Sequence, residues 1–171
     1  AELMRGRALQ SQRLQRGCVI TSWQKEQYTE QAVEETLDQM KDLGCEWVSI
    51  LTTWYQESEG STELSPLDTN MSGTPSLESL EHLILKIKER EMYPILKPHI
   101  DLENGEWRGS ITFEDEGEWR DWFRNYIDFI LIYARLAERH QLELFVLGTE
   151  LKGTTHRQEW TDIIAQVRAA F

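Results

Sequence analysis

From Gly17 onward, short apolar runs rich in β-branched and aromatic residues alternate with longer runs whose apolar positions recur every three or four residues. A period near 2 alternating with a period near 3.6 predicts parallel strands joined by crossover helices, and four such units fit the chain. The first pairs a strand over 18–23 with a helix capped by Thr29; its inward positions are Val33, Leu37, Met40 and Leu43, and it stops at Gly44. The second has a strand over 47–54 and a helix announced by Thr74 and Pro75, with Leu80, Leu83, Ile84 and Ile87 on one face. A strand over 93–100 precedes the longest helix, near 116–140, whose stripe of Trp119, Trp122, Phe123, Tyr126, Ile130, Tyr133 and Ala137 reads as core packing. The fourth strand, 142–149, leads to a helix opened by a capping box over Thr155 to Gln158 and packed through Trp160, Ile163, Ile164 and Val167. Residues 1–16 are a polar lead-in with no assigned role, and residues 17–171 form the structured unit.

Connection lengths give the array an orientation. Helix-to-strand joints are a few residues long, whereas the strand-to-helix joints 55–73 and 101–115 are long. Long loops in compact domains tend to carry function, and α/β proteins bind ligands beyond the carboxyl ends of their strands. Those ends hold Thr21, Ser22 and Trp23; Thr52, Thr53, Trp54 and Tyr55; Lys97, His99 and Asp101; and Thr149 with Glu150. Aromatic faces beside hydrogen-bonding groups suit a sugar, which stacks through its C–H face and pairs through its hydroxyls. Glu150 follows the apolar run 144–148, and burial there is expected to raise its pKa and make it a general acid; a surface carboxylate is the plainer reading. Lys97, His99 and Asp101 alternate and so share one strand face. A polar substrate clamp, a metal site on His99 and Asp101, and an ion-pair cluster all remain open for them. His82, His140 and His156 read as solvated helix-surface residues, and Glu103 and Glu106 as loop carboxylates available for a second role.

Charge narrows the partner class. With 18 Lys and Arg against 30 Asp and Glu, the formal net charge is −12, which argues against nucleic acid or an anionic membrane and favours a neutral substrate. No apolar run approaches the roughly 20 residues that span a bilayer, and the first residues lack a signal-peptide core. The compartment stays open between the cytoplasm and export with a signal removed. Cys18 and Cys45 have neither a framework nor a zinc spacing and are expected to be two buried thiols at strand starts. No cofactor is indicated.

Four stretches then carry a resemblance: Lys97-Pro98-His99-Ile100-Asp101 with Gly105-Glu106-Trp107-Arg108-Gly109, Thr52 to Gln56, Thr21 to Trp23, and Gly148 to Leu151. Together they resemble the N-terminal half of the TIM-barrel glycoside hydrolases of the family 113 β-mannanase type. The resemblance implies a (β/α)8 barrel that cleaves β-1,4-linked mannan or manno-oligosaccharides with retention. It implies Glu150 as the acid/base and a second Glu, at the end of a seventh strand, as nucleophile. It further implies that Trp23, Trp54, Tyr55, Lys97, His99, Asp101, Trp107 and Arg108 bind sugar, with Thr149 standing where the wider clan usually has an Asn on the sugar 2-hydroxyl. A full barrel needs roughly 250 residues, and four βα units make half of one. The chain is therefore expected to be a segment of a longer enzyme, inactive alone. The alternative is a non-catalytic carbohydrate-binding or self-assembling half-barrel whose open sheet edges permit self-association.

Overall fold

Four parallel strands lie side by side in chain order: β1 (Gly17–Ile20), β2 (Trp47–Gln56), β3 (Tyr93–Leu102) and β4 (Leu144–Phe145). Helices α1 (Gln31–Asp42), α2 (Leu77–Glu89), α3 (Glu116–Arg139) and α4 (Glu159–Ala170) follow the strands in turn. The computed structural model describes residues 15–68 and 73–171, so the expected polar lead-in lies almost wholly outside the described residues. The fold is thus α/β, built of four consecutive βα units.

Register and side-chain alternation give the sheet two unlike faces. Val48, Ile50, Thr52, Trp54 and Gln56 of β2 align with Pro94, Leu96, Pro98, Ile100 and Leu102 of β3. This face meets the helices: Val48, Ile50 and Leu96 are fully buried in one core with Leu37, Leu80, Leu83, Ile84, Ile87 and the aromatic stripe of α3. Polar groups on it are paired. Trp122 Nε1–H donates to Gln56 Oε1 at 2.9 Å, and the Tyr133 hydroxyl accepts from Thr52 Oγ1 at 3.1 Å and Trp54 Nε1 at 2.9 Å. The opposite face carries Leu51, Thr53 and Tyr55 in register with Lys97, His99 and Asp101, and Val19 of β1 is half exposed there. Tyr28, in a 3-10 turn after β1, ties β1 to β2 by donating from its hydroxyl to the Leu51 carbonyl at 2.8 Å.

Element ends depart from the sequence pattern where side chains find other partners. Thr29 closes the 3-10 turn by donating to Glu26 O, so α1 begins two residues later, and Leu43 ends up exposed beyond its end. Gly44, at φ 82°, makes the expected stop. Ser76 caps α2 in place of Thr74, accepting from Ser79 N; the Thr74 hydroxyl is drawn into the sheet end, donating to Thr53 O at 2.6 Å. The capping box at 155–158 does not form, because Thr155 donates to Lys152 O in a preceding 3-10 turn and α4 starts at Glu159. Ile164 on α4 is more than a third exposed. β4 is two residues long where eight were expected: Tyr126 of α3 takes the Leu147 carbonyl at 2.7 Å and leads the chain away from the sheet.

Cys18 and Cys45 are not free thiols. Their Cα atoms lie 6.3 Å apart, both side chains are half-buried, and a disulfide joins the start of β1 to the turn before β2. Register explains this, since Gly17 sits opposite Trp47 and brings the two segments together. No helix among the described residues is long and apolar enough to cross a membrane.

Candidate active site

At the carboxyl end of β3, His99 and Asp101 emerge from the face that avoids the helices, with Thr53 and Tyr55 of β2 as their register partners. The following loop turns at Gly105, φ 79°, and returns Arg108 over this strand end. Arg108 Nη1 donates to His99 Nδ1 at 2.8 Å, and Nη2 is hydrogen-bonded and ion-paired to Asp101 Oδ1. An arginine can only donate, so Nδ1 of His99 is the acceptor and its proton resides on Nε2. Burial, then the positive charges of Arg108 and Lys97, lower the His99 pKa to about 4, so the ring is neutral near pH 7. Burial also raises the Tyr55 pKa, helped by the charges of Asp101 and Glu103. A metal on His99 and Asp101 does not fit this arrangement: Arg108 occupies Nδ1 of His99 and Oδ1 of Asp101 and sets its positive charge beside both, Nε2 of the ring carries the proton, and no group of three or more His, Cys, Asp or Glu among the described residues could hold an ion.

Glu150 stands just past the end of the fourth strand segment, in the left-handed region at φ 58°, where the chain turns from Gly148 into the 3-10 turn Lys152–Thr154. Its carboxylate accepts a hydrogen bond from Trp107 Nε1 at 3.0 Å. The expectation of a raised pKa is overturned: the carboxyl is exposed, and the Trp107 N–H, followed by the positive charge of Arg108, holds it below the usual glutamate range. Desolvation is only a minor opposing effect for so exposed a group.

Two glycines bring these loops together. A Cβ on Gly109 would lie 2.4 Å from the Trp107 ring, and one on Gly153 would lie 2.2 Å from Ile111 O and 3.1 Å from Gly109 O. The turns Arg108–Ser110 and Lys152–Thr154 therefore touch backbone to backbone, and the Trp107 indole lies against Gly109 within reach of Glu150.

The structure thus gathers Tyr55, His99, Asp101, Trp107, Arg108 and Glu150, joined by contacts or register, with Lys97 on the same strand face and Thr149 next to Glu150 in the chain. Trp23 is about half exposed just beyond the end of β1. Trp54 does not join them: it alternates to the helix side, where its indole packs on Phe129 at 5.3 Å and donates to Tyr133. Four buried polar atoms in this region have no hydrogen-bond partner among the described residues: Tyr55 Oη, His99 Nε2, Arg108 Nε and Thr149 Oγ1. Such atoms are costly unless something else satisfies them. Two of the expected surface histidines differ as well. His140 is half-buried against Glu81 at 3.3 Å, and His82 has a buried Nε2; only His156 is exposed, edge-on to Trp119. The pairing of Trp107 with Glu150 and the bridging role of Arg108 were not foreseen; Gly109 and Gly153 were the sequence features that could have suggested close loop contact.

The chain and its fold have counterparts among known proteins. The profile of glycoside hydrolase family 113 matches residues 20–171. A solved family 113 β-1,4-mannanase complex is 32% identical with a TM-score of 0.82, and a further β-1,4-mannanase structure of that family is 30% identical with a TM-score of 0.83; each alignment covers 91% of this chain and 52% of the other. The fold also matches the family 113 β-mannanase AaManA from Alicyclobacillus acidocaldarius in complex with ManMIm, at 24% identity and a TM-score of 0.82, over 91% of this chain and 51% of that one. The chain spans about half the length of these solved structures. No curated protein sequence matches it.

Proposed function

The chain belongs to glycoside hydrolase family 113, and we propose that the protein of which it forms part hydrolyses β-1,4-linked mannan or manno-oligosaccharides with retention, using Glu150 as acid/base. The observation that carries this reading is the exposed Glu150 carboxyl at the same strand-end cluster as four unpartnered buried polar atoms. Sugar hydroxyls are partners of the right kind for those atoms, being both donors and acceptors. His99 Nε2–H and Arg108 Nε–H would donate to them, while Tyr55 and Thr149 can do either. Trp23 and Trp107, each about half exposed, offer apolar faces to pyranose C–H surfaces.

In the first step the nucleophile's carboxylate forms a bond to the anomeric carbon as the glycosidic bond breaks, and the leaving oxygen keeps that bond's electron pair and takes the proton of protonated Glu150. In the second step the carboxylate takes a proton from the water that releases the sugar from the nucleophile. Retention requires a second carboxyl about 5 Å away. Asp101 is engaged by Arg108, and we assign the nucleophile to a residue outside these 171. The segment alone is accordingly expected to lack turnover.

The test is Glu150→Gln in the full-length enzyme with mannohexaose as substrate. Loss of a positioned acid/base should lower kcat/KM by about 10²–10⁴-fold; a variant as fast as the parent removes Glu150 from the mechanism.

A further inference from the structure

The hydrogen bond from Trp107 has a chemical consequence beyond sugar stacking. It is made to one carboxylate oxygen of Glu150, Oε2, and Oε1 has no hydrogen-bond partner among the described residues. The indole is fixed for this contact on both sides. Arg108, next in the chain, anchors the loop to β3 through His99 and Asp101. The Trp107 carbonyl accepts from Ser110 N at 2.9 Å and Ser110 Oγ at 2.7 Å, which closes the turn in which Gly109 backs the ring. Gly153 then docks that turn on the loop carrying Glu150.

We propose that Trp107 is a positioning residue for proton transfer: by holding Oε2 with its indole N–H, it leaves Oε1 to carry the proton that passes to the glycosidic oxygen. This rests on the reading of Glu150 as acid/base. When the Oε1–H bond breaks, its electron pair stays on the carboxyl group, and the charge that develops is shared with Oε2. A donor already aimed at Oε2 strengthens its bond as that charge grows, and so favours the transition state over the ground state. The benefit is largest for a sugar leaving group, which must be protonated to depart, and is lost for a leaving group that departs as a stable anion. In the second half of the reaction Oε1 is again the free oxygen, facing the incoming water, and it recovers the proton.

The test uses full-length enzyme with Trp107→Phe, which keeps a ring against Gly109 but removes the N–H. The rate ratio between mannohexaose and a 2,4-dinitrophenyl β-mannoside should fall at least about tenfold relative to the parent, because only the first substrate needs the proton. The alkaline limb of the kcat/KM profile for mannohexaose should move to higher pH, since the acid loses a group that stabilises its ionised form. Equal losses on both substrates with an unmoved alkaline limb would reduce Trp107 to a stacking platform and overturn the proposal. Titration of ¹³C-labelled glutamate side chains, with Glu150 assigned by its disappearance in Glu150→Gln, reads the contact without turnover. Its midpoint should rise in Trp107→Phe, and an unchanged midpoint rejects the assignment. Failure of the parent to cleave either substrate removes the hydrolase reading and the proton-transfer role with it, while the titration still decides whether Trp107 tunes Glu150.

Discussion

Arg108 donates to Nδ1 of His99 at 2.8 Å, and that single contact sets the tautomer of a buried ring whose other nitrogen has no partner among the described residues. The same guanidinium holds Asp101 Oδ1, so one side chain ties together a ring that donates through Nε2–H and a carboxylate that accepts. The Arg108 contact requires His99 to stay neutral, because a protonated ring has no acceptor to offer the guanidinium.

The His99 pKa of about 4 against an ordinary 6.5 makes stability depend on pH in a defined direction. The folded protein binds fewer protons than the unfolded chain across that window. The contribution is therefore complete above about pH 6.5 and is lost as pH falls toward 4. Urea midpoints of the full-length protein and of His99→Gln, measured at several pH values across this range, should converge as pH drops. A gap that stays constant would show that His99 titrates normally.

Trp54 and Tyr133 form a structural pair, so their substitution should affect stability and leave sugar recognition alone. Tyr133→Phe leaves the Thr52 hydroxyl and the Trp54 indole N–H without their shared acceptor, at a cost of about 1–3 kcal/mol. Trp54→Phe should lower the denaturation midpoint while KM for mannohexaose stays within twofold of the parent, a rough bound set by the small effects of residues that make no ligand contact. A large rise in KM would return Trp54 to the cleft.

Gly153→Ala forces a methyl group into the Ile111 carbonyl, which is backbone and cannot swing aside. We expect a loss of about 1–3 kcal/mol from the overpacking and, because the Trp107 turn must shift from Glu150, a fall in kcat. Thermal denaturation together with steady-state kinetics measures both. Unchanged values for the two would mean that the loops are not in contact.

The link between Cys18 and Cys45 closes a loop with a sequence separation of 27. Chain-entropy reasoning assigns a closure of this length about 2–4 kcal/mol. Peptide mapping without reductant should recover the two cysteine peptides as one covalent species, and reduction should lower the unfolding midpoint. Recovery of two separate, alkylatable peptides would contradict the bond.

The sequence by itself determined the order of strands and helices and the burial of α2 and α3, because apolar periodicity reports directly which side of an element faces the core. Leu80, Leu83, Ile84 and Ile87, and the stripe from Trp119 to Ala137, needed no tertiary information. It also placed Lys97, His99 and Asp101 on one face, since strand alternation is local. Tertiary structure decided the rest. Trp54 follows the same alternation, but only the docking of α3 shows that its side of the strand is the helix side. Register between β1 and β2 turned two expected thiols into a disulfide. For Glu150, position in the chain suggested a buried acid, whereas its protonation depends on an exposed rim and on an indole N–H from 43 residues away. Periodicity encodes which way a side chain points, but hydrogen bonds and charge between loops arise from distances that only the folded chain fixes.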